Sequence, residues 1–185
     1  MSLLDNSRTD KNTVHSYLEL YEKLLRPIKY KSLNVLEVGI FEGGSIKMWN
    51  DFFPNASVHG VDIIHINNVW ESIRNNEKII LHTSTDAYDS NFVKKSFLDS
   101  NIRFDFILDD GPHNLESMVK FIEYYSQLMT DDGILIIEDV QDYNWIDILK
   151  NQVPENLKEF IKVYDLRHIK GRYDDIVFTI DKLNI

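Results

Sequence analysis

Apolar positions along the chain alternate between two rhythms. Short unbroken runs, several of them rich in β-branched residues, stand at Asn34–Val38, Ser57–Ile63, Lys78–His82, Phe104–Leu108 and Gly133–Ile137. Runs of that length predict strands buried on both faces, as in a parallel sheet. Between them apolar residues recur at helical spacing. Val14, Tyr17, Leu18, Tyr21, Leu24 and Leu25 predict a first helix, capped by Asn12 or Thr13 and ended by Pro27. Ile46, Trp49, Phe52 and Phe53 mark a second, and Val69–Arg74 and Phe92–Leu98 two more. The clearest helix runs from Leu115 to Met129, with Met118, Val119, Ile122, Tyr125 and Leu128 on its apolar face. Tyr143–Leu149 reads as the last. Two final runs, Phe160–Leu166 and Asp175–Ile180, predict an antiparallel hairpin turning at Lys170-Gly171-Arg172.

Strand alternating with helix five times predicts an α/β fold: a Rossmann-like, mostly parallel sheet with helices on both faces and a C-terminal antiparallel hairpin. Nothing in the chain reads as a repeat or a linker, so residues 1–185 are expected to form one domain, with residues 1–11 loosely held. Sheets of this kind bind ligands beyond the carboxyl ends of their strands.

The first such end reads Glu37-Val38-Gly39-Ile40-Phe41-Glu42-Gly43-Gly44-Ser45. Glycines let a ligand approach the backbone. Phe41, however, stands where a dinucleotide fingerprint needs its second glycine, which argues against a pyrophosphate ligand. Glu37 suits an ammonium group better than a phosphate, and S-adenosylmethionine carries the first and lacks the second. Asp62, followed by Ile63, ends the second strand and is expected to accept from ribose hydroxyls. Asp86, after the third strand, is expected at the adenine end. The cofactor set is therefore Glu37, Gly39, Gly43, Ser45, Asp62, Ile63 and Asp86, joined by Asp109.

The strongest local signal is Ile107-Leu108-Asp109-Asp110-Gly111-Pro112-His113, matched by Ile136-Ile137-Glu138-Asp139 after the next strand. Neighbouring strands would converge up to four carboxylates, which repel unless a cation sits among them. Oxygen donors favour a hard ion, Mg²⁺ or Mn²⁺. Asp110, Glu138 and Asp139 are the expected ligands, Asp109 faces the cofactor, and His113 is placed as general base. The plainer reading makes Asp109 or Asp139 helix caps and His113 a loop hydrogen-bonder. His15, His59, His65, His82 and His168 are expected to be structural or solvated, Trp49 and Trp145 to be core or rim packing, with Trp145 close enough to the acids to line the mouth, and Arg167, Lys170 and Arg172 to form a solvated turn.

The formal net charge of −10 opposes binding to phosphate backbones, so no nucleic-acid partner is expected. The absence of cysteine removes disulfides and thiolate zinc sites and suits a cytoplasmic protein. The polar start lacks a signal peptide's apolar core, and no apolar run approaches the ~20 residues of a membrane helix, so no membrane partner is expected.

Taken in order, LEVGIFEGGSIKMW (Leu36–Trp49), VHGVDI (Val58–Ile63), FDFILDDGPH (Phe104–His113), DDGILIIEDV (Asp131–Val140) and GRYDDIVFTI (Gly171–Ile180) resemble a known family. These are the metal-dependent sugar O-methyltransferases of the mycinamicin 2''-O-methyltransferase type, which act in macrolide biosynthesis, with cephalosporin hydroxylase-like and polysaccharide-modifying relatives. The resemblance implies a class I, S-adenosylmethionine-dependent enzyme that methylates a sugar hydroxyl of a glycan or glycosylated small molecule. It implies Mg²⁺ on Asp110, Glu138 and Asp139, and His113 as base. Pro112 departs from the motif's usual small polar residue, and Thr83–Asp86 lacks the expected glycine. The macrolide enzymes carry a larger N-terminal region, so a second copy of the chain is expected to supply acceptor walls, as a homo-oligomer. A catechol-type metal-dependent methyltransferase and a non-catalytic cofactor-binding subunit stay open as alternatives.

Overall fold

Parallel strands form the spine of the computed structural model, which describes residues 8–183. The elements in chain order are α1 (Leu18–Leu25), β1 (Asn34–Val38), α2 (Gly44–Phe52), β2 (Ser57–Val61), α3 (Glu71–Arg74), β3 (Ile79–His82) and α4 (Ser90–Val93). They continue with β4 (Phe104–Asp109), α5 (Leu115–Tyr125), β5 (Met129–Ile137), α6 (Trp145–Gln152), β6 (Ile161–Asp165), α7 (Arg167–Lys170) and β7 (Ile176–Asp181). The sheet order is β3-β2-β1-β4-β5-β7-β6. The first five strands are mutually parallel, and β7 enters antiparallel between β5 and β6.

Side chains alternate across a strand, and here the alternation sorts the core into two layers. Val35, Phe106, Leu108, Ile134, Ile136 and Val177 face α1 and α2, against Tyr21, Trp49 and Phe53. Leu36, Val38, Ile107, Leu135, Ile137 and Phe178 face α5 and α6 with Phe97, Phe121 and Tyr125. Both layers are closed to water, so each strand reads as a continuous apolar run.

The first helix starts later than its periodicity predicts. Residues 10–17 form a strap instead, turned by bonds from the Val14 and His15 amides to the Asp10 carbonyl and from Tyr17 to Lys11. Nothing caps α1 through a side chain. The strap's side chains are drawn into the acidic strand ends, and that outweighs one more helical turn. The expectation of a loose residue 1–11 segment lies outside the described residues up to residue 7. Where the chain is described, Lys11 is buried. The expected Lys170-Gly171-Arg172 turn is preceded by α7. Lys170 is no bystander: its ammonium donates to the carbonyls of Asn12 and His15 and pins the strap. Arg167 and Arg172 pair with Asp165 and Asp174 at 2.6 and 3.0 Å. No helix among the described residues is long and apolar enough to cross a membrane.

Candidate active site

A cavity of about 860 Å³ opens over the carboxyl ends of β1, β2, β3 and β4. Gly39, Ile40 and Phe41 of the first loop, Asp62 and Ile63, Asp86 and Tyr88, and Asp110 with His113 line it, and Arg8 to Asp10 border it. Gly39 has φ 83°, and a side-chain carbon there would collide with the Asp110 backbone carbonyl. The first loop and the β4 loop therefore lie in direct contact, which a glycine alone permits.

Several expected cofactor residues face this cavity: Gly39, Ser45, Asp62, Ile63 and Asp86. Asp62 is already engaged. Its Oδ2 accepts from the Ile40 and Phe41 amides at 2.8 and 2.9 Å, and its Oδ1 accepts from Ile64. It clamps the glycine loop and keeps spare acceptor capacity on Oδ1. Three expected residues do not line the cavity. Gly43 is the left-handed residue preceding α2, and its Cα faces Ile73. Asp109 is turned to the α5 side, where Tyr88 Oη donates to it at 2.5 Å. Burial pushes its carboxyl up to about 7, against the opposing bond from Tyr88. Glu37 is wholly buried on the α2 side, accepting from Ser45 Oγ at 2.7 Å and Trp49 Nε1 at 3.1 Å. The reason is parity: Glu37 shares a strand face with Val35, which points at α2 and away from the cavity.

The acids after β4 and β5 divide in the same way. Asp110, His113 and Asp139 each offer a ligand atom, all within 4.8 Å of one another. His113 Nε2 stands 3.7 Å from Asp110 Oδ1 and 3.5 Å from Asp139 Oδ2, too far for direct hydrogen bonds. Both His113 and Asp139 hold left-handed backbones, φ 51° and 57°. Strain of this kind gathers at working sites. Glu138 does not join the trio in this arrangement. It is 1% exposed, with Oε1 bonded to the Lys11 ammonium and Oε2 accepting from Tyr21 Oη. Burial pushes its carboxyl up to about 7, with Lys11 pulling the other way.

The strap supplies what the sequence reading missed. Lys11 Nζ reaches Asp110 Oδ2 at 2.6 Å, contacts Glu138, and lies 3.6 Å from Glu37 Oε1. Burial pulls its pKa down, but the carboxylates, Asp110 foremost, more than offset this and raise it. His15 Nδ1 sits 2.8 Å from Asp175 Oδ1 and 3.2 Å from Asp139. Burial opposes its charge, and Asp139 with the Asp175 bond outweighs burial, so its pKa rises. Tyr17 Oη donates to Asp139. His15 thus joins the acids of the site as a buried partner. Glu37, Asp110, Glu138, Asp139, Asp174 and Asp175 face Lys11, His15 and Arg172, and the buried oxygens Glu37 Oε1, Asp174 Oδ1 and Asp175 Oδ2 have no hydrogen-bond partner. A residue-by-residue signal for Lys11 was absent, but the surplus of acids at strand ends does announce that cations must arrive from elsewhere.

The strand order, the antiparallel β7 and the cavity over the glycine loop define the Rossmann-like class I methyltransferase fold. A methyltransferase of the mycinamycin biosynthetic pathway, solved with Mg and S-adenosylhomocysteine, superposes with a TM-score of 0.69 at 21% identity, over 91% of this chain and 50% of that one. No family model matches the chain. By sequence it is similar to mycinamicin VI 2''-O-methyltransferase of Micromonospora griseorubida, 28% identical over 71% of this chain and 33% of that protein. It is also similar to a rhamnosyl tetracenomycin-C 2'-O-methyltransferase of Streptomyces olivaceus, 26% identical over 74% of this chain and 36% of that protein. The chain spans about a third of the length of these curated relatives.

Proposed function

We propose that the protein is an S-adenosylmethionine- and Mg²⁺-dependent O-methyltransferase acting on a sugar hydroxyl of a glycan or glycosylated small molecule. One observation carries the reading: a single cavity runs from Asp86 and Ile63 to Asp110 and His113. A nucleoside laid along it would thus end beside a carboxylate–imidazole trio. The sugar class is supported by the names of the sequence relatives. A dinucleotide is a poor occupant. Phe41 is 71% exposed at the loop, and Arg8, the one lysine or arginine lining the cavity among the described residues, pairs with Glu42 and lies over Trp70.

The residues fit a hard divalent ion. The donors are the carboxylate oxygens of Asp110 and Asp139, and Asp174 and Asp175, which cluster with Asp139, each keep a buried oxygen without a partner. Asp110 and Asp139 would hold it, with Glu138 as third carboxylate once freed from Lys11. A divalent ion there would acidify the acceptor hydroxyl, and S-adenosylmethionine would supply an electrophilic methyl group on its sulfonium. His113 Nε2, free of direct partners, takes the hydroxyl proton. The left-handed turn at His113 holds the ring at the cavity wall. Asp62 keeps the glycine loop in place, and Ile63, 75% exposed, offers an apolar surface to an adenine ring. Spare acceptor capacity on Asp62 serves the ribose.

Radiolabelled methyl transfer to deoxysugar glycosides tests the reading. His113→Ala is expected to lower kcat by about 10²–10⁴-fold while S-adenosylhomocysteine binding, read by calorimetry, stays within about threefold. Chelation is expected to abolish transfer. Full turnover in either case would refute the assignment, and turnover on catechols with none on sugars would favour the catechol alternative.

A further inference from the structure

Glu37 presents an anomaly that its surroundings do not resolve. Its Oε2 is spent on Ser45 and Trp49, yet Oε1 is buried without a hydrogen-bond partner. Leaving a buried carboxylate oxygen bare is costly, and each instance calls for a reason. The nearest cation is Lys11 Nζ at 3.6 Å, so a movement of about 1 Å would complete a charge-assisted bond. At present the ammonium is committed to Asp110 and Glu138.

Those two acids are among the three carboxylates that the reading above gives to the divalent ion, and this inference rests on that reading. An ammonium between them occupies the electron pairs that a metal would need. The strap's backbone is pinned by Lys170 and by the bond from Tyr17 to the Lys11 carbonyl, so any adjustment falls to the side chain. A lysine suits that task, being a point charge on a flexible stem. We propose that Lys11 is a transferable counter-ion: it bridges Asp110 and Glu138 in the metal-free site and shifts to Glu37 Oε1 when a divalent ion takes those carboxylates. Glu37 is then the receiving station for a displaced cation, and Lys11 is a positioning residue that links metal occupancy to the glycine loop. The bare oxygen is the vacant end of that shift.

The test is a double-mutant cycle on metal affinity in the full chain, read from the electron paramagnetic resonance of free Mn²⁺ during titration. Glu37→Gln removes the charge of the station while retaining an amide for Ser45 and Trp49. It is expected to weaken Mn²⁺ binding about tenfold or more, because the ammonium loses its alternative partner. Lys11→Met is expected to tighten Mn²⁺ binding, since the competitor is gone. In the Lys11→Met background, Glu37→Gln is expected to change affinity by less than about threefold. Lys11→Gln replaces Lys11→Met if the latter does not give a cooperative melt. Equal weakening by Glu37→Gln in both backgrounds, no weakening at all, or weaker binding by the lysine variants would overturn the shift and leave the metal reading standing. No Mn²⁺ binding by any of the four proteins would overturn both.

Discussion

His59 and His82 stack at 5.9 Å inside a ring of Phe92, Phe97 and Phe104. Burial, and then the neighbouring His82, push His59 down to about 4, and burial lowers His82 as well. Between pH 6.5 and 4 the unfolded chain binds a proton at His59 that the folded chain refuses. Stability from this group therefore falls as pH drops through that window. Relative to His59→Phe, the native chain is expected to lose up to ~3 kcal/mol between those limits. Urea unfolding of both proteins across that range checks this, and parallel stability curves would refute it. At the same scale, the candidate site was half legible in the sequence. Strand ends pointed to Asp62, Asp110, Asp139 and His113 as candidates, and the fold gathers these four at one end of the sheet. Parity decides the others. Glu37 and Glu138 turn to the α1 and α2 side and Asp109 to the α5 side, as a strict count of alternate positions along β1, β4 and β5 would have indicated. Lys11 was invisible, since its role depends on a contact made with residues 99 and 127 positions away.

At the scale of elements, the glycine positions differ in what they demand. Gly39 combines φ 83° with backbone at the place a methyl would occupy, whereas Gly171 has φ 74° and nothing within 4 Å. Gly39→Ala is expected to cost about 2–4 kcal/mol and weaken S-adenosylhomocysteine binding, because the β1 and β4 loops must part. Gly171→Ala pays only the backbone term, about 1 kcal/mol. Denaturant melts with a calorimetric titration separate the two, and equal costs would count against the close approach at Gly39. Strand cores were readable to within a residue or two, because β-branched runs buried on both faces leave little choice. Boundaries set by tertiary context were not. β5 starts at Met129 instead of Gly133, where the pairing with β4 shifts register between Phe104 and Phe106. Residues 12–17 carry helical periodicity but serve as a strap, since Lys11, His15 and Tyr17 find stronger partners across the molecule than along a helix.

For the whole molecule, the mouth of the cavity is thinly walled. Phe41 and Ile63 stand exposed at its rim, and the His113 side chain is 29% exposed. A second copy of the chain is expected to cover this rim, giving a dimer or larger assembly by sedimentation. Full activity in a monomer would contradict that. The net charge of −10 belongs to this scale too: it bears on partners and solubility, whereas the acids gathered at the strand ends are offset only in part, by Lys11 and His15 of one short strap and by Arg172.

The insertion of β7 between β5 and β6 has a consequence for maturation. β6 touches the rest of the sheet through β7 alone, and Asp174 and Asp175 ride at the entrance of that strand. A nascent chain that has emerged only through β6 would already hold every residue that lines the cavity, yet it would have an unzipped β5 flank and lack Asp175, the partner of His15. The lining would thus be complete before the strap is anchored, and the entry of β7 would join the two.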